Sequence, residues 1–247
     1  MVLRKDEEFD RTHMSMKKAM KECEIHRDYI AHCHRWSFIQ KWLEQQQKYK
    51  ATRILDVGCG KDLPLLKVIC SARMATALPS YTGVDINKLE LDRTQYSEKR
   101  RLQPVLHSET DILSIPETDA NLIVCLEMLE HVPQAYAEDT IRHLHKISPD
   151  DATFILSTPV FNGKAARNHI NEMTRELLMD MLSEARWKIT ENYGTFASKP
   201  DIYPNLSEED KLVYDRLTKY YCNHHMSTIF APLYPEYSRN NLWVCTK

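Results

Sequence analysis

Glycine is scarce in this sequence, and so are long apolar runs, paired cysteines and an excess of charge of either sign. No apolar run approaches the roughly 18 residues that a membrane-crossing helix needs, and the first residues carry no apolar signal core. The 33 Lys and Arg residues nearly balance the 35 Asp and Glu residues, which argues against strong attraction to a phosphate backbone but leaves room for a local basic groove. The seven cysteines form no C-x-x-C pair, so we expect reduced thiols in a cytoplasmic protein with no membrane partner.

The few glycines lie where a ligand would need bare backbone. Of the five, Gly58 and Gly60 share one short turn that ends the apolar run ILDV. Glycine leaves no Cβ in the way of a ligand, and the helix that follows presents unpaired N–H groups to a carboxylate. Asp85 ends the next predicted strand, and Asp111 lies near the end of the third. Because ligands of open parallel sheets bind at the carboxyl ends of the strands, we predict that these residues line one pocket.

Short apolar runs alternate with helical patterns along most of the chain. Strands are predicted in ATRILDVGCG, SYTGVDI, QPVLHSETDIL, ANLIVCLEML, ATFILSTPV, WKITENYGTF and NNLWVCTK. This alternation predicts an α/β fold, a Rossmann-like seven-stranded and mostly parallel sheet with helices on both faces. We divide the chain into an N-terminal helical segment (1–50), a Rossmann-like core (51–196), a helical insert that caps the site (197–237) and a final core strand (238–247).

Two adenosine-containing cofactors compete for this predicted pocket. The fingerprint of NAD places a third glycine three residues after the second, where this chain has Leu63. Asp62 would also repel the two phosphates of a dinucleotide, whereas S-adenosylmethionine (SAM) has no phosphate and carries a cationic sulfonium and ammonium. The acidic turn, which also contains Asp56, therefore favours SAM.

The segments ILDVGCG, TGVDIN, TDIL, CLEMLEHV and FILSTP follow one another between about residues 50 and 195. Together they resemble motifs one to five of the class I SAM-dependent methyltransferases. The chain departs from that family where Asp62 replaces the usual third glycine, and the long gap before Asp85 predicts an extended loop at 73–80. The resemblance implies these roles: Gly58 and Gly60 for the methionine part, Asp56 for its ammonium, Asp85 for the ribose hydroxyls, Asp111 and Ile112 for the adenine, and Leu126 and Glu127 for the sulfonium side. Ile86, which follows Asp85, is a further predicted cofactor-binding residue.

The segment CLEMLEHVP carries the candidate acceptor chemistry. Glu127, Glu130 and His131 are spaced three and four residues apart, so their side chains are expected to share a face. Methyl transfer needs proximity and, for a hydroxyl acceptor, a base. His131 is the predicted base, and Glu130 is predicted to orient it. In a plainer interpretation, both residues only cap a helix and line the pocket.

A divalent metal ion is a second interpretation of the same residues. Glu127, Glu130, His131 and the later His169 could hold an ion that lowers the pKa of an acceptor hydroxyl. E-x-x-E-H with a later histidine is similar to the quinone-biosynthesis O-methyltransferases and to the small-RNA 2′-O-methyltransferases, in which the matching residues bind a divalent metal.

The sequence thus predicts a SAM-dependent methyltransferase, with an oxygen acceptor favoured over nitrogen and a small-molecule acceptor favoured over nucleic acid. Two alternatives stay open. One is methylation of a nucleic acid, either at an RNA 2′-oxygen or at a base, and the other is a SAM-binding regulatory module without catalysis. The acceptor pocket is expected between the N-terminal helices, the loop at 158–171 and the insert.

Overall fold

A seven-stranded sheet forms the centre of the protein. The computed structural model describes residues 27–45, 52–71, 79–89, 103–163 and 165–247. The strands are β1 (Arg53–Val57), β2 (Ser80–Val84), β3 (Val105–His107), β4 (Leu122–Leu126), β5 (Thr153–Pro159), β6 (Lys188–Phe196) and β7 (Asn240–Thr246). Their order across the sheet is β3-β2-β1-β4-β5-β7-β6. The first five pair in parallel, whereas β7 runs antiparallel to both β5 and β6. The predicted mostly parallel sheet is confirmed.

Helices cover both faces of this sheet, as predicted. They are α1 (Arg27–Gln45), α2 (Pro64–Ser71), α3 (Gln134–Ile147), α4 (Arg175–Glu184), α5 (Lys199–Ile202), α6 (Glu208–Leu217) and α7 (Asn223–Phe230). Apolar side chains of α3 and α4 pack on one face with Ile123 and Cys125 of β4. Those of α1 and α2 pack on the other face with Leu122 and Val124. Since successive strand side chains point to opposite faces, the continuous apolar run of β4 serves both cores.

Some element boundaries differ from the sequence-based prediction. The third strand ends at His107, and Asp111 instead caps a short 3-10 turn at Ile112–Ser114. Helix α2 begins at Pro64, whose fixed φ suits a first helical residue. The extended loop predicted at 73–80 lies largely outside the described residues. Thr174 caps α4, because its side chain accepts from the Leu177 N–H.

The insert leaves the sheet after β6 and returns to it at β7. It has its own apolar core, which includes Tyr214, Met226 and Phe230. A Cβ on Gly194 of β6 would lie 2.1 Å from Ser238 Oγ and 2.3 Å from the Ala231 carbonyl oxygen. Glycine is therefore required where the insert returns against the strand.

The structure adds two observations on compartment and membrane. Within the described ranges, no helix combines the length and the apolar character that crossing a bilayer requires. Among the cysteines that the structure describes, Cys59, Cys125, Cys222 and Cys245 are free thiols. The cytoplasmic location stays a prediction.

Candidate functional site

The residues predicted from the strand ends adjoin one another at the carboxyl edge of the sheet. β1 lies between β2 and β4, so the strand order reverses there, which is where open α/β sheets bind ligands. The Gly58 and Cys59 N–H groups donate to the Val84 carbonyl at 2.9 and 3.2 Å. These bonds fasten the turn after β1 to the end of β2.

The glycine turn adopts a backbone conformation that other residues disfavour. Gly58 and Gly60 have φ angles of +68° and +70°. A Cβ on Gly58 would lie 2.6 Å from Met128 Cγ, so the turn after β1 lies directly against the turn after β4. This contact between the two turns explains why position 58 needs a glycine. The predicted approach of a ligand to the glycine backbone stays a prediction.

Asp85 is buried and fixed in orientation by the backbone around it. Its Oδ2 accepts from the Gly60 N–H at 2.9 Å. Its Oδ1 accepts from the backbone N–H and the side-chain amide of Asn87, at 2.8 and 2.7 Å. The neighbouring Ile86 leaves 69% of its surface exposed, so an apolar side chain stands open to solvent beside a fixed carboxylate. A ribose and its base could occupy such a position.

Asp56 belongs to β1, just before the turn, and is buried close to Asp85. The Tyr81 hydroxyl donates to its Oδ2 at 2.5 Å. Burial raises the pKa of Asp56 to about 7, the charge of Asp85 adds to the rise, and the Tyr81 hydrogen bond opposes it. A cation next to Asp56 would lower this pKa, so that the carboxyl is ionised at neutral pH.

Asp111 and Ile112 complete the part of the site formed by the loop after β3. The Asp111 carboxylate is exposed and accepts from the Leu113 N–H and the Tyr136 hydroxyl. Both hydrogen bonds lower the pKa of Asp111, and the bond from Tyr136 has the larger effect. Ile112 is buried in the core below.

The chain is strained where β4 ends. Leu126 is partly buried and closes the strand, and Glu127 follows it with a φ of +54°, which is uncommon for a residue with a side chain. The Glu127 carboxylate accepts from the Ser157 hydroxyl at 2.6 Å and from the Asn240 amide at 2.8 Å. β5 and β7 thus hold this side chain in place.

Arg35 of α1 also reaches this point. Only 3% of its surface is exposed, and its Nη1 lies 3.7 Å from Glu127 Oε2, beyond hydrogen-bond distance. Its Nη2 donates to His32 Nδ1. A guanidinium has five N–H donors, so this buried fork retains donors for a ligand with acceptor oxygens.

Glu130, His131 and His169 come together one turn beyond Glu127. Their potential ligand atoms all lie within 4.8 Å of one another. Glu130 is 1% exposed, and its buried Oε2 has no hydrogen-bond partner among the residues that the structure describes. Burial and the charge of Glu127 raise the pKa of Glu130. Glu127, the fourth predicted metal ligand, lies outside this group because Ser157 and Asn240 hold its carboxylate.

The His131 ring lies between a backbone carbonyl and the Glu130 carboxyl. Its Nδ1 faces the Asn168 carbonyl at 3.1 Å. Glu130 Oε1 lies 3.8 Å from its Nε2, which is within ion-pair distance but beyond hydrogen-bond distance. The loop at 165–173 therefore contacts one ring nitrogen, and the orienting role of Glu130 stays a prediction.

That loop is itself fastened to the turn at Leu129–His131. The N–H groups of Ile170 and Asn171 both donate to the Glu130 carbonyl, at 3.0 and 3.1 Å. His169 Nδ1 lies 2.6 Å from Glu172 Oε1, and the His169 ring packs edge-on against His131 with centroids 5.0 Å apart. Glu172 therefore fixes the Nδ1 side of His169.

Two site residues escaped the sequence analysis. Glu172 follows His169 by three residues, and this H-x-x-E spacing could have indicated that the two side chains pair. Arg35 gave no such signal, since it lies in a polar helical segment far from the motifs. Only the packing of α1 on the sheet brings it to Glu127.

Comparison with known proteins shows the family and the fold of this chain. A family model described as a methyltransferase domain matches residues 26–194. Among curated proteins, the ubiquinone biosynthesis O-methyltransferase of Pseudomonas syringae pv. tomato is 28% identical over 127 residues, which is 50% of this chain and 51% of that protein. The chain thus spans about half the length of the curated relatives it matches.

Solved structures with the same fold include two methyltransferases. The magnesium protoporphyrin IX methyltransferase from Synechocystis PCC 6803, with bound S-adenosylhomocysteine (SAH), superposes with a TM-score of 0.59 at 13% identity over 97% of this chain and 94% of that one. The methyltransferase domain of bacterial CtHen1 gives 0.56 at 16% identity over 88% and 100%. At these identities the two likenesses establish the fold.

Proposed function

Because this chain belongs to the family of class I SAM-dependent methyltransferase domains, we propose that it transfers the methyl group of SAM to a hydroxyl oxygen of a small-molecule acceptor. The observation that carries the acceptor chemistry is the group formed by Glu130, His131 and His169, placed one turn beyond the end of β4. Two imidazoles and a buried carboxyl at that position can take a proton from a hydroxyl as it is methylated.

The cofactor is proposed to lie across the reversal point of the sheet. The ribose hydroxyls donate to Asp85, the adenine lies between Ile86 and Ile112 with its edge at Asp111, and the methionine part lies along Gly58 and Gly60. Leu126 and Glu127 then border the sulfonium. These roles are supported by the fixed Asp85 carboxylate and by the bare backbone of the glycine turn.

Arg35 is proposed to bind the carboxylate of the methionine part. Its guanidinium is buried beside Glu127, and most of its donors are uncommitted within the described part of the chain. A buried charge without full hydrogen bonding is costly, and a carboxylate matches the guanidinium fork in shape and charge. In this arrangement Asp56 and Arg35 recognise opposite charges of the same amino-acid moiety.

The affinity for SAM is expected to fall as the pH is lowered from about 7.5 to about 5.5, a range in which the SAM ammonium stays protonated. The pKa of Asp56 is about 7, and pairing with the ammonium requires the ionised carboxylate. Each pH unit below the pKa should therefore raise Kd by up to about tenfold. Titration calorimetry at several pH values measures this slope.

The matched variant for this prediction is Asp56→Asn. It should bind SAM more weakly than the parent at about pH 7.5 and show no slope below it. The folding stability of the free parent protein depends on pH in the opposite direction to its affinity for SAM. A carboxyl with a folded pKa above its unfolded value of about 3.9 loses its stabilising contribution as the pH rises through about 7. An equal slope in the variant would remove Asp56 from the cofactor site.

The acceptor hydroxyl can be activated in two ways at this group. His131 can accept the proton directly, with its ring held by the Asn168 carbonyl. The residues also fit a divalent ion, because two imidazole nitrogens and a Glu130 carboxyl oxygen lie within 4.8 Å of one another and Glu172 supports one of the imidazoles. Bound there, an ion would lower the pKa of a coordinated hydroxyl.

The proposal is tested by heat-unfolding midpoints with SAM, SAH and NAD, followed by transfer from labelled SAM. A ligand at about 100 times its Kd should raise the midpoint by roughly 5–10 °C. We expect a rise with SAM and SAH but not NAD, and label on small hydroxylated aromatics. No rise of the midpoint with SAM would refute the proposed cofactor site. Label that appears only on RNA would refute the small-molecule acceptor, and binding of SAM without transfer to any acceptor would indicate a regulatory module.

Unfolding midpoints measured with Mg²⁺, Mn²⁺ or EDTA alone test whether the protein binds a metal ion.

A further inference from the structure

Helix α3 is fastened at two points to the loop that follows β3. The Tyr136 hydroxyl donates to Asp111 Oδ1 at 2.5 Å, and His143 Nε2 lies 2.9 Å from the Ile115 carbonyl oxygen two turns later along the helix. Between these points Ala137 is buried in the same core as Ile112. The first turn of α3 and the Asp111 turn therefore form one rigid unit.

The two oxygens of Asp111 are used unequally. Oδ1 accepts two hydrogen bonds, one from the Leu113 N–H at 3.0 Å and one from the Tyr136 hydroxyl. Oδ2 accepts none from the residues that the structure describes. The two donors fix the rotation of the carboxylate and leave Oδ2 as the acceptor that a ligand meets. They also lower the pKa of Asp111, so the group acts as an acceptor only.

We propose that Tyr136 is a positioning residue that makes the cofactor site selective for the 6-amino group of adenine. The inference rests on the proposed function, which places the adenine edge at Asp111. An acceptor-only carboxylate oxygen takes a hydrogen bond from an exocyclic amine but faces the 6-oxo group of hypoxanthine with like partial charges. Tyr136 contributes by holding Oδ2 toward the base.

The tyrosine is needed because Asp111 is exposed. An exposed carboxylate that only the Leu113 N–H restrained could rotate and offer either oxygen to water, and a freely rotating acceptor discriminates less between bases. One hydrogen bond of ordinary strength corresponds to a factor of about 2 to 10 in an equilibrium constant. Loss of the hydroxyl should therefore change the adenine preference by about that factor.

The test compares SAH with S-inosylhomocysteine, in which hypoxanthine replaces adenine, by titration calorimetry on the parent protein and on Tyr136→Phe. The parent should prefer SAH by about tenfold or more. In Tyr136→Phe the ratio of the two Kd values should shrink by about 2- to 10-fold. Tyr203→Phe is the matched control, because the Tyr203 hydroxyl also donates to an exposed carboxylate, Asp215, but in the insert. It should leave the ratio unchanged.

A purely structural role for Tyr136 would weaken both ligands equally, and an unchanged ratio would overturn the inference. The second variant, Asp111→Asn, should lose the preference, since an amide can donate or accept. Adding Tyr136→Phe to it should change the ratio no further, and a full additional loss would also overturn the inference. If the parent binds no SAH, the proposed function fails first and this inference falls with it.

Discussion

Replacement of His131 by alanine is expected to slow methyl transfer by about 100- to 10,000-fold while leaving the Kd for SAM within about twofold of the parent. The reason is position, since His131 lies beyond the end of β4 in the group with Glu130 and His169 and outside the proposed cofactor contacts. The measurement is single-turnover transfer from labelled SAM, with binding measured separately. A variant that turns over as fast as the parent would remove His131 from the mechanism.

His145→Ala is the matched control for this prediction. His145 lies on α3 and is also partly exposed, but its imidazole packs edge-on against Trp187, away from the carboxyl edge of the sheet. Its loss should change stability slightly and methyl transfer hardly at all. The comparison separates the loss of a catalytic imidazole from the general cost of removing a partly buried ring.

His169→Ala distinguishes the two ways of activating the acceptor. If an ion is held by the three side chains, this variant should be as slow as His131→Ala, and added Mn²⁺ should restore part of the rate, because losing one ligand weakens the site without abolishing it. If His131 acts as a base without a metal, His169→Ala should be milder and indifferent to Mn²⁺ and EDTA. Either result also reports on Glu172, whose carboxylate contacts His169.

The sequence predicted the residues whose positions follow from strand ends. Asp85 and the glycine turn lie at the expected edge because a parallel sheet brings the ends of β1 and β2 together regardless of the loops between them. Asp111 reaches that edge by a different route, through a capped turn after a shorter strand. Its position could be predicted from the order of the elements, even though the predicted end of the third strand was wrong.

Contacts between segments that are far apart in the sequence could not be predicted from its local patterns. Spacing alone placed Glu127 beside Glu130 and His131, but Ser157 of β5 and Asn240 of β7 hold its carboxylate apart from that group. Asn240 is 113 residues away along the chain, and no periodicity encodes that pairing. Arg35 depends in the same way on how α1 packs. Local geometry fixes which residues end a strand, whereas tertiary packing decides where their side chains point.

Replacement of Gly58 by alanine is expected to weaken SAM binding by about 100-fold or more, with a further loss in the rate of methyl transfer. Two costs combine. A side chain at a φ of +68° is disfavoured by roughly 1–2 kcal/mol. The new Cβ would also lie 2.6 Å from Met128 Cγ and 2.9 Å from Met128 Cβ, so the turn after β4 would have to move. Since Met128 joins Glu127 to the turn at Leu129–His131, the displacement would reach the acceptor side.

Gly163→Ala separates these two costs. Its φ is +98°, so alanine is strained there as well, but a Cβ would meet nothing within 4 Å. This variant should lose stability comparably and keep the Kd for SAM within about twofold of the parent. If Gly58→Ala weakens SAM no more than Gly163→Ala does, the close contact between the two turns does not control cofactor binding. If it weakens SAM strongly at an equal loss of stability, Met128 is the element through which the cofactor turn and the acceptor group are coupled.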